Sequence, residues 1–180
     1  MMPKTYVQKQ EIRLTGISVR TTNAEEAGPN GRLPGLWDRY FRERETIAAA
    51  SGENGTSLNA LYALYTDYES DASGAYTVII GHEQGTESAG DQGTHESGIQ
   101  HTDLAKNELH HAVIPASEYI VFETRRGPVQ TVVAEAWGRI WAYFEDAQDK
   151  RAFTGDYELY DLRDFDPGNA VVSIYIAVQS

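Results

Sequence analysis

The chain has 180 residues, 41% of them hydrophobic, and 27 acidic against 15 basic residues give it a formal net charge of -12. That length supports one domain with a substantial core and is short for two. The charge opposes a phosphate backbone, so direct nucleic-acid binding is not expected, and the absence of cysteine excludes disulfides, thiolate metal sites and a cysteine nucleophile. The opening segment MMPKTYVQKQEIRL lacks the apolar core of a secretory signal, and no stretch approaches the roughly 18 continuous apolar residues of a membrane span. A soluble cytoplasmic protein with no membrane partner is the expectation. An acidic surface also concentrates cations, organic ones included.

Residues 7–22, VQKQEIRLTGISVRTT, alternate through Ile12 and Leu14 and again through Ile17 and Val19, which predicts a strand with a bulge at Gly16, where the phase shifts. NAEEAGPNGR (23–32) has the Gly, Pro and Asn content of a loop. The next segment, LPGLWDRYFRERETIAAA, sets Leu36, Trp37, Tyr40, Phe41, Arg44, Ile47 and Ala48 at helical spacing, with Gly52 as a stop. Residues 58–83 are dense in Tyr, Ile, Val and Thr on both sides of the turn-rich ESDASG, which predicts two strands. Residues 84–108 are poor in apolar side chains and are expected to form a long flexible loop.

LHHAVIPASEYIVFETR (109–125) resumes as a strand interrupted by Pro115, which suits an edge or bulge position. In GPVQTVVAEAWGRIWAYFEDA, Val129, Val132, Val133, Ala136, Trp137, Ile140, Trp141 and Phe144 form an unbroken helical stripe, with Pro128 where helices begin. GDYELYDLRD and NAVVSIYIAVQ then predict two strands around the turn FDPGN.

The fold expected is α+β: one domain over 1–180 built from two β-α-β-β repeats, about 5–83 and 109–180, around the loop 84–108. Two such units related by a pseudo-twofold would form mainly antiparallel sheets, with both helices on one face and a ligand groove on the other. Along GDYELYD, side chains alternate, so Tyr157 and Leu159 share one face while Asp156, Glu158 and Tyr160 share the other. If the apolar pair meets the helix, Glu158 faces the groove. Matching LYT at 64–66 to LYD at 159–161 puts Tyr65 in the position of Tyr160 and Ala63 in that of Glu158.

A carboxylate among aromatic rings is costly when unpaired, and an organic cation supplies both the missing charge and a partner for the rings. The plainer alternative is that Glu158 ends a solvated strand face or pairs with Arg163 or Arg151.

The segments LWDRYF, LYALYTDYESDASGAYTVIIG, IPASEYIVFETRRGPVQTVVAEAWGRIW, FTGDYELYD and VSIYIAV together resemble the GyrI-like small-molecule-binding domain. This is the effector-binding module of some AraC-type and MerR-type activators, also found standing alone, as in cationic drug-binding integron cassette proteins. The resemblance implies an aromatic groove around a buried glutamate, here Glu158, with lipophilic organic cations as ligands and no cofactor. It implies Tyr65, Tyr76, Trp37 and Tyr160 as further groove residues, while the helical spacing makes core packing the expected role for Trp37, Trp137 and Trp141 alike. No helix-turn-helix pattern precedes the module, and a contribution to transcription regulation or drug sensing would run through a protein partner or a homodimer.

The five histidines, His82, His95, His101, His110 and His111, lie among acids between residues 82 and 111, yet none has the i, i+4 pairing of H-E-x-x-H, and no metal site is assigned. Two other functions compete with ligand binding. A hydrolase of small reactive compounds could use Glu158 with Tyr160 or Tyr65 as an acid/base pair, although no catalytic nucleophile is recognisable. A gyrase-inhibitor type of interaction protein could set the acidic surface against a basic partner.

Overall fold

The computed structural model describes residues 5–29, 31–50, 60–71, 73–84, 109–163 and 165–179. In chain order they form strands β1 (Thr5–Lys9) and β2 (Ile12–Thr21), helices α1 (Asn23–Ala27) and α2 (Leu33–Ala50), strands β3 (Ala60–Thr66), β4 (Tyr76–Glu83), β5 (His110–Ile114) and β6 (Ser117–Glu123), helix α3 (Val129–Asp146), and strands β7 (Asp156–Asp161) and β8 (Ser173–Val178). The α+β class is as expected, and the order β-α-β-β occurs as β2-α2-β3-β4 and as β6-α3-β7-β8. All but the first residue of the loop 84–108, together with the stop at Gly52, His95 and His101, lie outside the described residues.

Two short connections determine the shape of the sheet. All eight strands pair antiparallel in the order β1-β6-β8-β7-β3-β4-β2-β5. β1 and β2 sit near opposite ends of that order, yet only residues 10 and 11 separate them; β5 and β6 are likewise separated only by residues 115 and 116. Two residues span about 10 Å at most. The sheet must therefore curl until its ends approach each other.

The curl gives the sheet two buried faces. On one, Leu14, Tyr62, Leu64, Ile79, Ile114, Tyr119, Tyr157 and Ala177 form a core of strand residues alone. Tyr157 stacks flat on Tyr175 at 4.5 Å, and Tyr119 meets both rings edge-on. On the other face, Ile17, Leu61, Ala63, Val78, Ile80, Ile174 and Ile176 pack under Leu36, Tyr40 and Ile47 of α2 and Ala136 and Ile140 of α3.

This arrangement corrects the expected position of the groove. Tyr157 packs in the helix-free core, so Glu158 and Tyr160 point toward the helices, and the groove lies between the helices rather than on the face away from them. The physical reason is the curl: the helix-free face is filled by its own tyrosines and aliphatic side chains.

Three local expectations also change. β2 has no bulge, because its registers with β4 and β5 run unbroken through Gly16. Instead, Leu14 packs into the helix-free core and Ile17 under the helices, so the strand changes which of its two faces is more deeply buried. Gly16 opposes Gly81, and a Cβ on Gly16 would stand 2.1 Å from the Ile80 carbonyl oxygen, so the glycine permits a close backbone crossing. Pro115 separates two strands rather than interrupting one, because β5 pairs with β2 while β6 pairs with β1 and β8. Finally, the segment expected as a loop opens with α1, whose N-cap Thr22 accepts from the Glu25 N–H at 3.0 Å.

Gly16→Ala is expected to lower stability by about 3 kcal/mol or more, since the obstructing atoms belong to backbone that cannot step aside. Chemical denaturation checks this, with Gly138→Ala as the control, because nothing lies within 4 Å of a Cβ built there. Equal midpoints for the two variants would contradict the close crossing.

Candidate functional site

The site grows from the ladder between β3 and β7. Ala63 lies directly opposite Glu158, and Tyr65 lies two residues further along β3 on the same face. Alanine's small side chain leaves room for the glutamate beside it. Tyr160 follows Glu158 on the same face of β7. α3 crosses above and supplies Trp137.

These neighbours converge on one carboxylate. Glu158 Oε2 accepts hydrogen bonds from the Tyr65 hydroxyl at 2.8 Å and from Trp137 Nε1 at 2.8 Å, while Oε1 accepts from the Tyr160 hydroxyl at 2.6 Å. The residue is 2% exposed. Burial pushes its carboxyl above the ordinary carboxylate range, and the three donors pull it part of the way back. Burial, followed by the nearby Glu158 charge, raises the Tyr65 and Tyr160 hydroxyls well above their usual range, so both remain protonated donors at neutral pH.

Asp156, two residues earlier on the same face, has a different environment. Its Oδ2 pairs with Arg151 Nη2 at 2.7 Å and accepts from the Tyr68 hydroxyl, while Oδ1 accepts the Ala177 N–H at 2.8 Å. The Arg151 guanidinium lies 4.4 Å from the Phe153 ring centroid and 5.9 Å from that of Trp137. Asp156 therefore has a counter-charge inside the fold. Glu158 has only neutral donors, and among the described residues no basic group pairs with it.

Around Glu158 lies a cavity of about 800 Å³, walled by α1, α2, α3 and the β3–β7 seam. This is within the range of small-molecule sites. Its walls are mainly apolar and rich in aromatic rings: Trp37 meets Tyr160 edge-on at 5.4 Å, Tyr65 lies 5.1 Å from Trp137, and Tyr76 bridges Tyr65 and Tyr68 at 5.7 and 6.0 Å. Tyr76 donates to Asn23 Oδ1 of α1 at 2.8 Å. The Glu26 carboxylate is occupied at the start of α2, where it accepts the N–H groups of Arg32 and Leu33.

All five residues expected from sequence, Glu158, Tyr65, Tyr160, Tyr76 and Trp37, line this single cavity. Neither proposed arginine takes Glu158: Arg151 pairs with Asp156, and Arg163 binds Asp161. Helix-core packing was expected for Trp37, Trp137 and Trp141; Trp37 and Trp137 do pack against the helix-covered core, and all three also line the cavity, where Trp137 donates to the glutamate. The i, i+4 spacing of Trp137 and Trp141 on the flank of the α3 stripe was the available signal. Tyr68 was not singled out, because it lies outside regular elements, and Arg151 was considered only as a partner of Glu158.

The described histidines have structural partners. His82 is buried, with Nε2 2.8 Å from the Tyr40 hydroxyl and Nδ1 3.1 Å from the Ala60 carbonyl. His110 and His111 bond Ser18 and Thr15. No cluster of three metal-ligating side chains occurs among the described residues, nor is any helix among them long and apolar enough to cross a membrane.

The family model described as the GyrI-like small molecule binding domain matches residues 2–179. The protein named Putative transcriptional regulator protein YobU, from Bacillus subtilis (strain 168), is 33% identical over 167 residues, covering 93% of this chain and 92% of that protein. Among solved structures, an integron cassette protein from the mobile metagenome of Vibrio cholerae superposes with a TM-score of 0.70 at 29% identity, covering 98% of this chain and 95% of the other. A structure of SAV2435 bound to tetraphenylphosphonium gives 0.68 at 21% identity over 99% and 95% of the two chains, a likeness of fold.

The raised carboxyl of Glu158 has a consequence for stability. Because the fold disfavours its ionised form, the penalty is absent below the unfolded-state value and appears as pH rises through the higher folded-state value. Wild type should therefore gain stability relative to Glu158→Gln as pH falls from neutrality toward about 4.5. Paired denaturation curves across that interval check this. A stability difference independent of pH would contradict it.

Proposed function

The chain belongs to the GyrI-like small-molecule-binding domain family, and from the cavity around Glu158 we propose that it binds lipophilic organic cations. The observation that carries this reading is the contrast between two acids on one strand: Asp156 has its guanidinium, while Glu158 is buried beneath three neutral donors. At an effective dielectric near 20, a unit positive charge about 5 Å from that carboxylate gains on the order of 3 kcal/mol.

Lipophilicity follows from the walls. A compact ammonium would surrender strong hydration on entering an aromatic cavity, whereas a cation with delocalised or sterically covered charge loses little. Its rings and apolar area meet Trp37, Tyr65, Tyr76, Trp137 and Tyr160, where cation–π attraction adds to burial. Tetraphenylphosphonium, the ligand of the SAV2435 structure, has this chemistry. In the same reading, Glu158, Tyr65, Tyr160, Tyr76 and Trp37 are ligand-binding residues, and the protein acts as a cytoplasmic sensor or sequestering module. The name of the Bacillus subtilis relative supports a link to transcription regulation.

The lining also favours binding over hydrolysis. Among the described residues it contains no serine, threonine, cysteine, histidine or lysine, and both Glu158 oxygens are engaged by donors.

Titration of wild type and Glu158→Gln with rhodamine 6G and with an uncharged analogue of similar shape tests the proposal. Glutamine can keep its oxygen toward Tyr65 and Trp137 and direct its amide toward the Tyr160 hydroxyl, so the cavity persists while the charge is lost. The substitution should weaken the cation by about tenfold to hundredfold and leave the neutral analogue nearly unaffected. Wild-type affinity for the cation should also decline as pH falls through the raised Glu158 value, with no such decline in the variant. Equal cation affinities for the two proteins would overturn the charge-recognition reading.

A further inference from the structure

The cavity has two aromatic walls that continue beyond the buried carboxylate to the protein surface. On α2, Trp37 stacks with Phe41 at 6.1 Å and an interplanar angle of 30°. On α3, Trp137 lies 6.2 Å from Trp141 at 40°. The inner ring of each pair is tied to the glutamate: Trp137 donates to it directly, and Trp37 packs on Tyr160, which donates to it. The outer rings line the same cavity but are 54% exposed at Phe41 and 43% exposed at Trp141.

Both pairs have i, i+4 spacing, so each advances about 6 Å along its helix. Two exposed aromatic rings lining one cavity are apolar surface held in water, which commonly marks a place of contact.

We propose that the ligands of this protein are elongated: a cationic head beside Glu158 with an apolar tail that leaves the cavity between Phe41 and Trp141. This rests on the cation-binding reading and narrows its ligand class from lipophilic cations in general to tailed ones. The inner aromatic rings and the carboxylate select the head. The outer rings grip the tail, so affinity is set partly by tail length.

An alkyltriphenylphosphonium series with methyl, butyl, octyl and decyl tails tests this, using full-length wild type and the double variant Phe41→Ala/Trp141→Ala, below the concentrations at which the longer cations aggregate. A fully buried methylene strengthens binding by at most about fourfold, so partial cover of four should tighten octyl over butyl by about tenfold. That butyl-to-octyl ratio is expected to fall to about twofold or less in the double variant and to be restored by Phe41→Leu/Trp141→Phe, which returns apolar cover. An identical ratio in wild type and the double variant would overturn the tail proposal while leaving cation binding intact. So would a changed sedimentation coefficient in the double variant with the ratio unaltered, because the exposed rings would then serve contact between copies of the chain. Failure of the methyl compound to bind wild type would overturn the cation reading itself, and the tail proposal with it.

Discussion

The antiparallel ladder between β3 and β7 is the constraint on which the rest of the arrangement depends. It joins the two β-α-β-β segments, and its register sets Ala63 against Glu158 and Tyr65 within diagonal reach of the same carboxylate. A slip of one residue would turn Glu158 into the tyrosine-filled core of the opposite face, where it would lose Trp137 and Tyr65 as donors. The register is held from both sides: apolar residues alternate into the helix-covered core through Leu61, Ala63 and Tyr160, and into the helix-free core through Tyr62, Leu64 and Tyr157.

Two acids on β7 differ in whether the fold supplies their counter-charge. Asp156 is paired with Arg151, bonded by Tyr68 and fixed to the Ala177 backbone, which ties β7 to β8. Such a buried pair contributes little net stability, yet removal of either partner leaves the other exposed to the full cost of desolvation. Glu158 has the same backbone setting without the cation. Its three donors orient the carboxylate and reduce the cost of burial, but they bring no opposite charge. A positive ligand would therefore add to Glu158 what Arg151 already supplies to Asp156.

Much of this was legible in the sequence, and the residues show where legibility stopped. Both long helices follow from apolar spacing, and the strand alternation separates Glu158 and Tyr160 from Tyr157 and Leu159. Alternation identifies two faces but not which one the helices cover. That depends on the curl, which depends on pairings between strands distant in sequence, such as β1 with β6 and β2 with β5. Gly16 misled for the same reason: its apparent phase shift records a change in the more deeply buried face of a regular strand. α1 had a local signal, since Thr22 and Glu25 have the spacing of a helix N-terminus. Trp137 could not be assigned from periodicity, because a ring at the flank of an apolar stripe can face a core or a cavity equally well.

The central claim is that ionised Glu158 is the internal counter-charge for a bound cation. The most direct measurement follows the Glu158 side-chain carboxyl carbon by NMR during pH titration, with and without saturating tetraphenylphosphonium. Ionisation should occur above the ordinary carboxylate range in the free protein and shift to lower pH when the cation is bound, with protons released on binding in the interval between. A Glu158 titration that is the same with and without the bound cation would contradict the claim.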